Sequence, residues 1–321
     1  MRLLLGFTNA SSLTYGSAER ESGCGRFGRK GRGIVVKLVT YNVQYGIGRD
    51  GELGLERIAA AVADADIIAL QEVTRNYPTN GGVDMVAGLC GLLPQHRHVY
   101  GAAMDIDFGA LAPQAGNAEL RFQFGNMLLS RWPIVSCRNL LLPRSRTYDR
   151  ANLQRAALEG LVVTPLGPLR FYSVHLDHVN RDERIMQIRH LKERVLAYPL
   201  EGGAVTGAGE YGFPEPPCPD DFVLMGDFNM RPGEAEYDEM TGAPDALFGR
   251  RLVLHHPVDA SRLAGPAPEG SVSWMDLSGA GKHARLDYCF VSAGLAARVR
   301  DAWIDADADG SDHQPVWTVL E

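Results

Sequence analysis

Phe222-Val223-Leu224-Met225-Gly226-Asp227-Phe228-Asn229 is an apolar run that closes on a carboxylate and a carboxamide two residues apart. The run reads as a buried strand, and if that strand continues to Asn229 the pleat aims both polar side chains to one face. An anionic acceptor beside a neutral donor suits a phosphate bound next to a metal ion, one group handling a proton or cation and the other holding an oxygen. The competing reading is an Asx-rich turn after a strand. The rest of the chain has to decide between them.

Upstream, strand and helix signals alternate. The β-branched run Ile34 to Tyr41 opens the ordered part as a strand. Leu55, Ile58, Ala59 and Val62 recur at helical spacing. Asp66 to Leu70 predicts a buried strand ending at Gln71-Glu72, and Met127 to Ser130 predicts another, stopped by Trp132-Pro133. Leu158 to Val163 and Leu169 to Val174 flank Pro165-Leu166-Gly167-Pro168 as a hairpin. A helix from Arg181 to Tyr198 carries Ile185, Ile188, Leu191 and Val195 and should stop at Pro199. Residues 201–220 predict a surface loop, followed by the opening strand, a helix near 233–240, and strands at 285–291 and 314–320. This alternation is that of an α/β (α+β) fold.

Composition narrows the function. The 321 residues carry a net charge of −7, so no global basic footprint for nonspecific nucleic-acid binding exists, although bound divalent cations can supply positive charge locally. Residues 1–33 hold six Lys/Arg against two Glu and read as a flexible basic tail; the natural start could equally be Val36. The expected domain is 34–321, with 26 basic and 37 acidic residues. Cys24, Cys90, Cys137, Cys218 and Cys289 are scattered and form no CxxC pair, which argues against a disulfide framework or zinc cluster. No apolar run reaches the ~18 residues of a membrane span, and the apolar start Met1–Phe7 is short for a signal peptide. A cytoplasmic, monomeric protein with no obligate protein partner is the expectation.

Polar signatures fall at the ends of the expected strands, where α/β folds build sites. They are Thr40-Tyr41-Asn42-Val43-Gln44, Leu70-Gln71-Glu72-Val73, Ser173-Val174-His175-Leu176, Gly226 to Asn229, and Ser311-Asp312-His313. Arg285-Leu286-Asp287-Tyr288 adds an acid inside an apolar strand, and a buried Asp needs a partner such as a histidine. Singly, each has an ordinary structural explanation; their joint order over some 270 residues does not. Asp305 to Gly310 opens like a calcium-binding loop, but Val316 stands at the twelfth position, so that reading fails.

That order, with Gly125-Asn126-Met127-Leu128-Leu129-Ser130-Arg131-Trp132-Pro133-Ile134, resembles the endonuclease/exonuclease/phosphatase (DNase I-like) superfamily of metal-dependent phosphoesterases, from Val36 to Leu320. The resemblance implies a four-layer sandwich, two packed mixed β-sheets flanked by helices. It implies Asn42, Glu72 and Asp312 at a divalent cation, Mg²⁺ or Mn²⁺, and Asp227 and Asn229 at the nucleophilic water and phosphate. His313 is then a base or phosphate donor oriented by Asp287, and His175 a phosphate or leaving-group donor. Asn126, Arg155 and Trp274 are expected substrate contacts. His175 and Leu-Gln-Glu-Val depart from the abasic-site repair branch, and Arg285-Leu286-Asp287-Tyr288 from the inositol-phosphate phosphatases. The implied function is phosphoester hydrolysis by activated water, with a phosphodiesterase or nuclease ahead of a sphingomyelinase-like lipid phosphodiesterase or small-molecule phosphatase. A catalytically silent scaffold is the reading from another class.

Overall fold

The computed structural model describes residues 33–111, 120–265 and 271–321. The expected basic tail therefore lies, except for Gly33, outside the described residues. In chain order the elements are β1 (Val36–Asn42), α1 (Leu55–Val62), β2 (Ile67–Arg75), α2 (Met85–Leu92), β3 (Arg97–Asp107), α3 (Phe108–Leu111), β4 (Arg121–Ser130) and β5 (Ile134–Leu141). They continue with β6 (Ala156–Thr164), β7 (Gly167–His175), α4 (Arg181–Glu201), β8 (Phe222–Asp227), α5 (Ala235–Thr241), β9 (Val258–Asp259) and α6 (Ala260–Leu263). The last are β10 (Trp274–Met275), β11 (His283–Ala284), β12 (Asp287–Val291), β13 (Val299–Ile304) and β14 (Val316–Leu320).

Two mixed sheets form, in the orders β13-β14-β1-β2-β4-β3 and β5-β6-β7-β8-β12-β9, with β10-β11 as a separate ribbon. Alternation along the strands divides the apolar side chains among three layers of core. Val36, Leu38, Ile67, Ala69 and Leu128 meet Leu158, Phe171, Val223, Met225 and Val291 between the sheets. The other face of the first sheet buries Val39, Tyr41 and Leu70 against Ile58 and Val62 of α1 and Met85 and Leu89 of α2. Tyr172, Val174, Leu224 and Phe290 do the same with Ile188, Leu191 and Val195 of α4 and Met240 of α5. The result is the four-layer sandwich, and each buried side chain contributes roughly 1.5–3 kcal/mol. β7 and β8 run parallel in close approach: a Cβ on Gly226 would lie 1.8 Å from the Val174 carbonyl oxygen, so only glycine fits there.

Several expected boundaries differ by a few residues, three of them for reasons the structure shows. β2 does not end at Gln71-Glu72 but runs on to Arg75 across a bulge between Leu70 and Val73. α4 passes through Pro199 to Glu201. Proline leaves the carbonyl four residues back without its helical donor, and that carbonyl, Val195, is taken by the buried Arg170 Nη1 at 2.7 Å. β8 stops at Asp227, two residues before Asn229.

Candidate active site

The polar strand ends converge on one rim of the sandwich. In register, Ala156, His175, Asp227 and Asp287 lie side by side across β6, β7, β8 and β12. They open into a cavity of about 490 Å³ lined by Glu72, Arg155, His175, Asp227, Asn229 and His313, among others. Asp312 and Trp274 line it as well.

Local backbone geometry aims the acids. Asn229 has a left-handed φ of 49°, and its N–H donates to Asp227 Oδ1 at 2.9 Å. The opening stretch is thus both a strand end and an Asx turn, and the turn rather than the pleat brings the two side chains together. Asn229 Nδ2 donates to Leu176 O and, at 3.3 Å, to Asp227 Oδ2. Glu72 sits in the β2 bulge with φ 61°. Regular alternation would turn it with Leu70 toward α1 and α2; the extra residue re-aims it into the cavity. Gln44 and Tyr45 are also left-handed, at φ 40° and 56°, and both line the cavity. Gln44 Oε1 accepts the Asp312 N–H.

His313 Nδ1 lies 2.8 Å from Asp287 Oδ2, and Ser273 Oγ donates to the same oxygen at 2.7 Å. His313 Nε2 then faces Asp227 Oδ2 at 3.8 Å, while His175 Nε2 faces it at 3.5 Å. Burial works against the charged form of His313, but Asp287, with Asp227 and Asp312, outweighs it and raises the imidazole to about 10. His175 goes the other way: burial, then Arg155, His313 and His178, hold it well below the usual histidine range. One imidazole is therefore charged and the other neutral at neutral pH.

Burial, with Asp312 and Asp227 nearby, pushes Glu72 up to about 7, although Arg155 and His313 pull it down. Asp227 rises to about 6, from burial and then Asp287, and burial also raises Asp312. Three crowded carboxyls that ionise reluctantly are a donor set that a hard divalent cation would relieve. Asp227, Asp287 and His313 bring ligand atoms within 4.8 Å of one another, but the bond between His313 and Asp287 occupies two of the three. Glu72 and Asp312 line the same cavity and are not engaged in that bond.

Two of the expected site residues make structural hydrogen bonds. Asn126 does not line the cavity: it is buried opposite the β2 bulge, and its Nδ2 donates to Ala156 O and Ser173 O of the second sheet. Its amide ties the two sheets together. Asn126→Ala is expected to lower stability by about 2–4 kcal/mol, two buried carbonyls losing a donor, while KM stays unchanged; a shifted KM would return Asn126 to the site. Asn42 also has a structural commitment. Its Nδ2 donates to Asp227 Oδ2 at 3.0 Å and its oxygen accepts Gln44 N–H, so it positions Asp227.

Arg155 is in place. It is buried, and its Nη1 lies 2.8 Å from His175 Nε2 and its Nη2 2.8 Å from His178 Nδ1. A buried guanidinium whose hydrogen bonds among the described residues go to imidazoles alone is poised for an anion in the cavity. Trp274 lines the wall and its Nε1 donates to Asp312 Oδ2, orienting that acid. Tyr45, Arg184 and Arg231 were not anticipated. Arg231 had a signal, following Asn229 by two residues; Arg184 lies on a helix, where nothing in the sequence marks it.

A family model described as "Endonuclease/Exonuclease/phosphatase family" matches residues 39–313. The fold is similar to an endonuclease/exonuclease/phosphatase from Beutenbergia cavernae (21% identity, TM-score 0.62, covering 89% of this chain and 71% of that one). A mannosyl-6-phosphatase from Bacteroides thetaiotaomicron is similar at 17% identity and TM-score 0.57, covering 89% and 100%. TDP2 from D. rerio, complexed with single-strand DNA product, is similar at 15% identity and TM-score 0.56, covering 89% and 99%. The curated proteins contain no match to this sequence.

Proposed function

The chain belongs to the endonuclease/exonuclease/phosphatase family, and on that premise we propose that it is a divalent-cation-dependent phosphoesterase that cleaves a P–O ester by in-line attack of water. The observation that carries the proposal is the buried His313–Asp287 pair facing Asp227, with Glu72 and Arg155 lining the same cavity. Glu72 and Asp312 would hold Mg²⁺ or Mn²⁺, which supplies charge neutralisation at the phosphate when bound.

Asp227, fixed by Asn42 and Asn229, orients the water and takes its proton as the new P–O bond forms. His313, kept protonated by Asp287, donates its Nε2–H to a phosphoryl oxygen where charge accumulates. Arg155 supplies a second cation. The neutral His175 accepts from Arg155 and holds that guanidinium in place. The P–O bond to the leaving group breaks, and the leaving oxygen collects a proton from solvent at the cavity mouth.

Activity on bis-(p-nitrophenyl) phosphate should appear with Mg²⁺ or Mn²⁺ and vanish with chelator. A wild-type protein inert with several divalent metals would favour the silent scaffold. A lipid phosphodiesterase is a second reading, favoured by Leu247 and Phe248, 86% and 69% exposed at a tight turn beside Arg250 and Arg251. Hydrolysis of sphingomyelin in vesicles at a rate exceeding that of soluble diesters would select it.

A further inference from the structure

A second cavity, of about 440 Å³, adjoins the active site and is lined by Arg231, Arg250, Arg262, Arg285 and His283. Arg231 lines both cavities. Two of the arginines are neutralised: Arg285 Nη2 bonds to the buried Asp259 at 2.9 Å, and Arg250 pairs with Asp238. That leaves two guanidinium charges that no carboxylate among the described residues pairs with, on Arg231 and on Arg262, the latter hydrogen-bonded to the neutral Tyr237 hydroxyl. A cavity that concentrates guanidinium groups without counter-charges is suited to an anion with several oxygens. Arg250 and Arg262 also line a smaller neighbouring recess of about 190 Å³ that contains Arg251.

We propose that this cavity is a subsite for a second phosphate group carried on the same substrate molecule whose first phosphate is cut at His313 and Asp227. The inference rests on the phosphoesterase reading, and continuity through Arg231 is what places both phosphates on one molecule. The substrate class is then a bisphosphorylated compound, such as a short oligonucleotide or a bisphosphate, and not a diester with a single phosphate.

Binding separates this inference from the activity. Glu72→Gln protein, which need not turn over, is titrated calorimetrically with three matched pairs. These are thymidine 3′,5′-bisphosphate against thymidine 5′-monophosphate, the 5′-phosphorylated thymidine dinucleotide against its unphosphorylated form, and inositol 1,4-bisphosphate against inositol 1-phosphate. At least one doubly phosphorylated member should bind 10-fold or more tightly than its partner. Arg262→Ala, an exposed side chain outside the catalytic cavity, should remove that preference and leave affinity for the singly phosphorylated member unchanged. Equal affinity within all three pairs, or a preference that survives Arg262→Ala, overturns the subsite. Lack of hydrolysis by the wild type would count against the phosphoesterase and leave the binding result standing.

Discussion

Replacing His313 with alanine is expected to slow turnover of bis-(p-nitrophenyl) phosphate by about 10³-fold, near 4 kcal/mol of transition-state stabilisation. The size follows from where the imidazole sits. It is buried, bonded to Asp287, and its free nitrogen lies 3.8 Å from Asp227 Oδ2 in the lining of the cavity. Asp287→Asn should cost nearly as much, because it removes the charge that keeps His313 protonated. The double variant should be little worse than either single one, since the two residues act as a unit. Steady-state kcat/KM for the three proteins checks this, and additive losses would show that they act separately. The pair has a pH signature too. His313 is raised in the folded protein to about 10 from an ordinary value of 6.5, so its stabilisation is fully present below pH 6.5 and is lost as pH rises through about 10. In Asp287→Asn that loss, and the alkaline limb of the activity profile, should move toward neutral pH.

Glu72→Gln is expected to abolish stabilisation by divalent cations and, in their absence, to make the protein more stable than wild type at pH 8. Glu72 is nearly buried, and its carboxyl is raised from 4.5 to about 7. A raised acid contributes stability present below pH 4.5 and lost as pH climbs through 7, so at pH 8 the metal-free wild type carries an ionised, poorly solvated carboxylate. The amide keeps the shape without the charge, and the gain should be about 2–3 kcal/mol at pH 8, disappearing near pH 5. Mn²⁺ should raise the wild-type Tm more at pH 8 than at pH 5 and leave the variant unmoved. Thermal denaturation at the two pH values, with chelator or with Mn²⁺, measures all four quantities; equal stabilisation of both proteins by Mn²⁺ would remove Glu72 from the cation site.

The inner strands were legible and the edge strands were not. β1, β2, β4, β6, β7, β8, β12 and β14 all lie inside their sheets and were anticipated from apolar runs. β3, β5, β9 and β13 are the sheet edges, and all four went unseen. Edge strands such as Arg97–Asp107 are half exposed, so polar residues dilute the signal that burial writes into the inner ones. The helix Met85–Leu92 was also missed, its two glycines arguing against a helix that packing against Leu55 and Val73 nevertheless stabilises.

The candidate site divides in the same way. The joint order of the polar signatures, and the family that order resembles, singled out Glu72, His175, Asp227, Asp287 and His313, because ordinary structural roles explain each one singly but not all of them together. What each group does was decided by the tertiary structure. Asn126 and Asn42 carry the same carboxamide as Asn229, yet one ties two sheets together, one steadies Asp227, and one closes a left-handed turn into the cavity. The protonation of the histidines follows the same logic: His175 and His313 are one residue type in the sequence, and one is charged and the other neutral because Asp287 lies against His313 while burial and then Arg155 hold His175 unprotonated. The sequence by itself determined that Phe222 to Asp227 is a buried strand ending in chemistry. Only the folded chain decided between the pleat and the Asx turn for Asn229, because its side-chain amide is fixed by the Leu176 carbonyl, which lies far away in sequence.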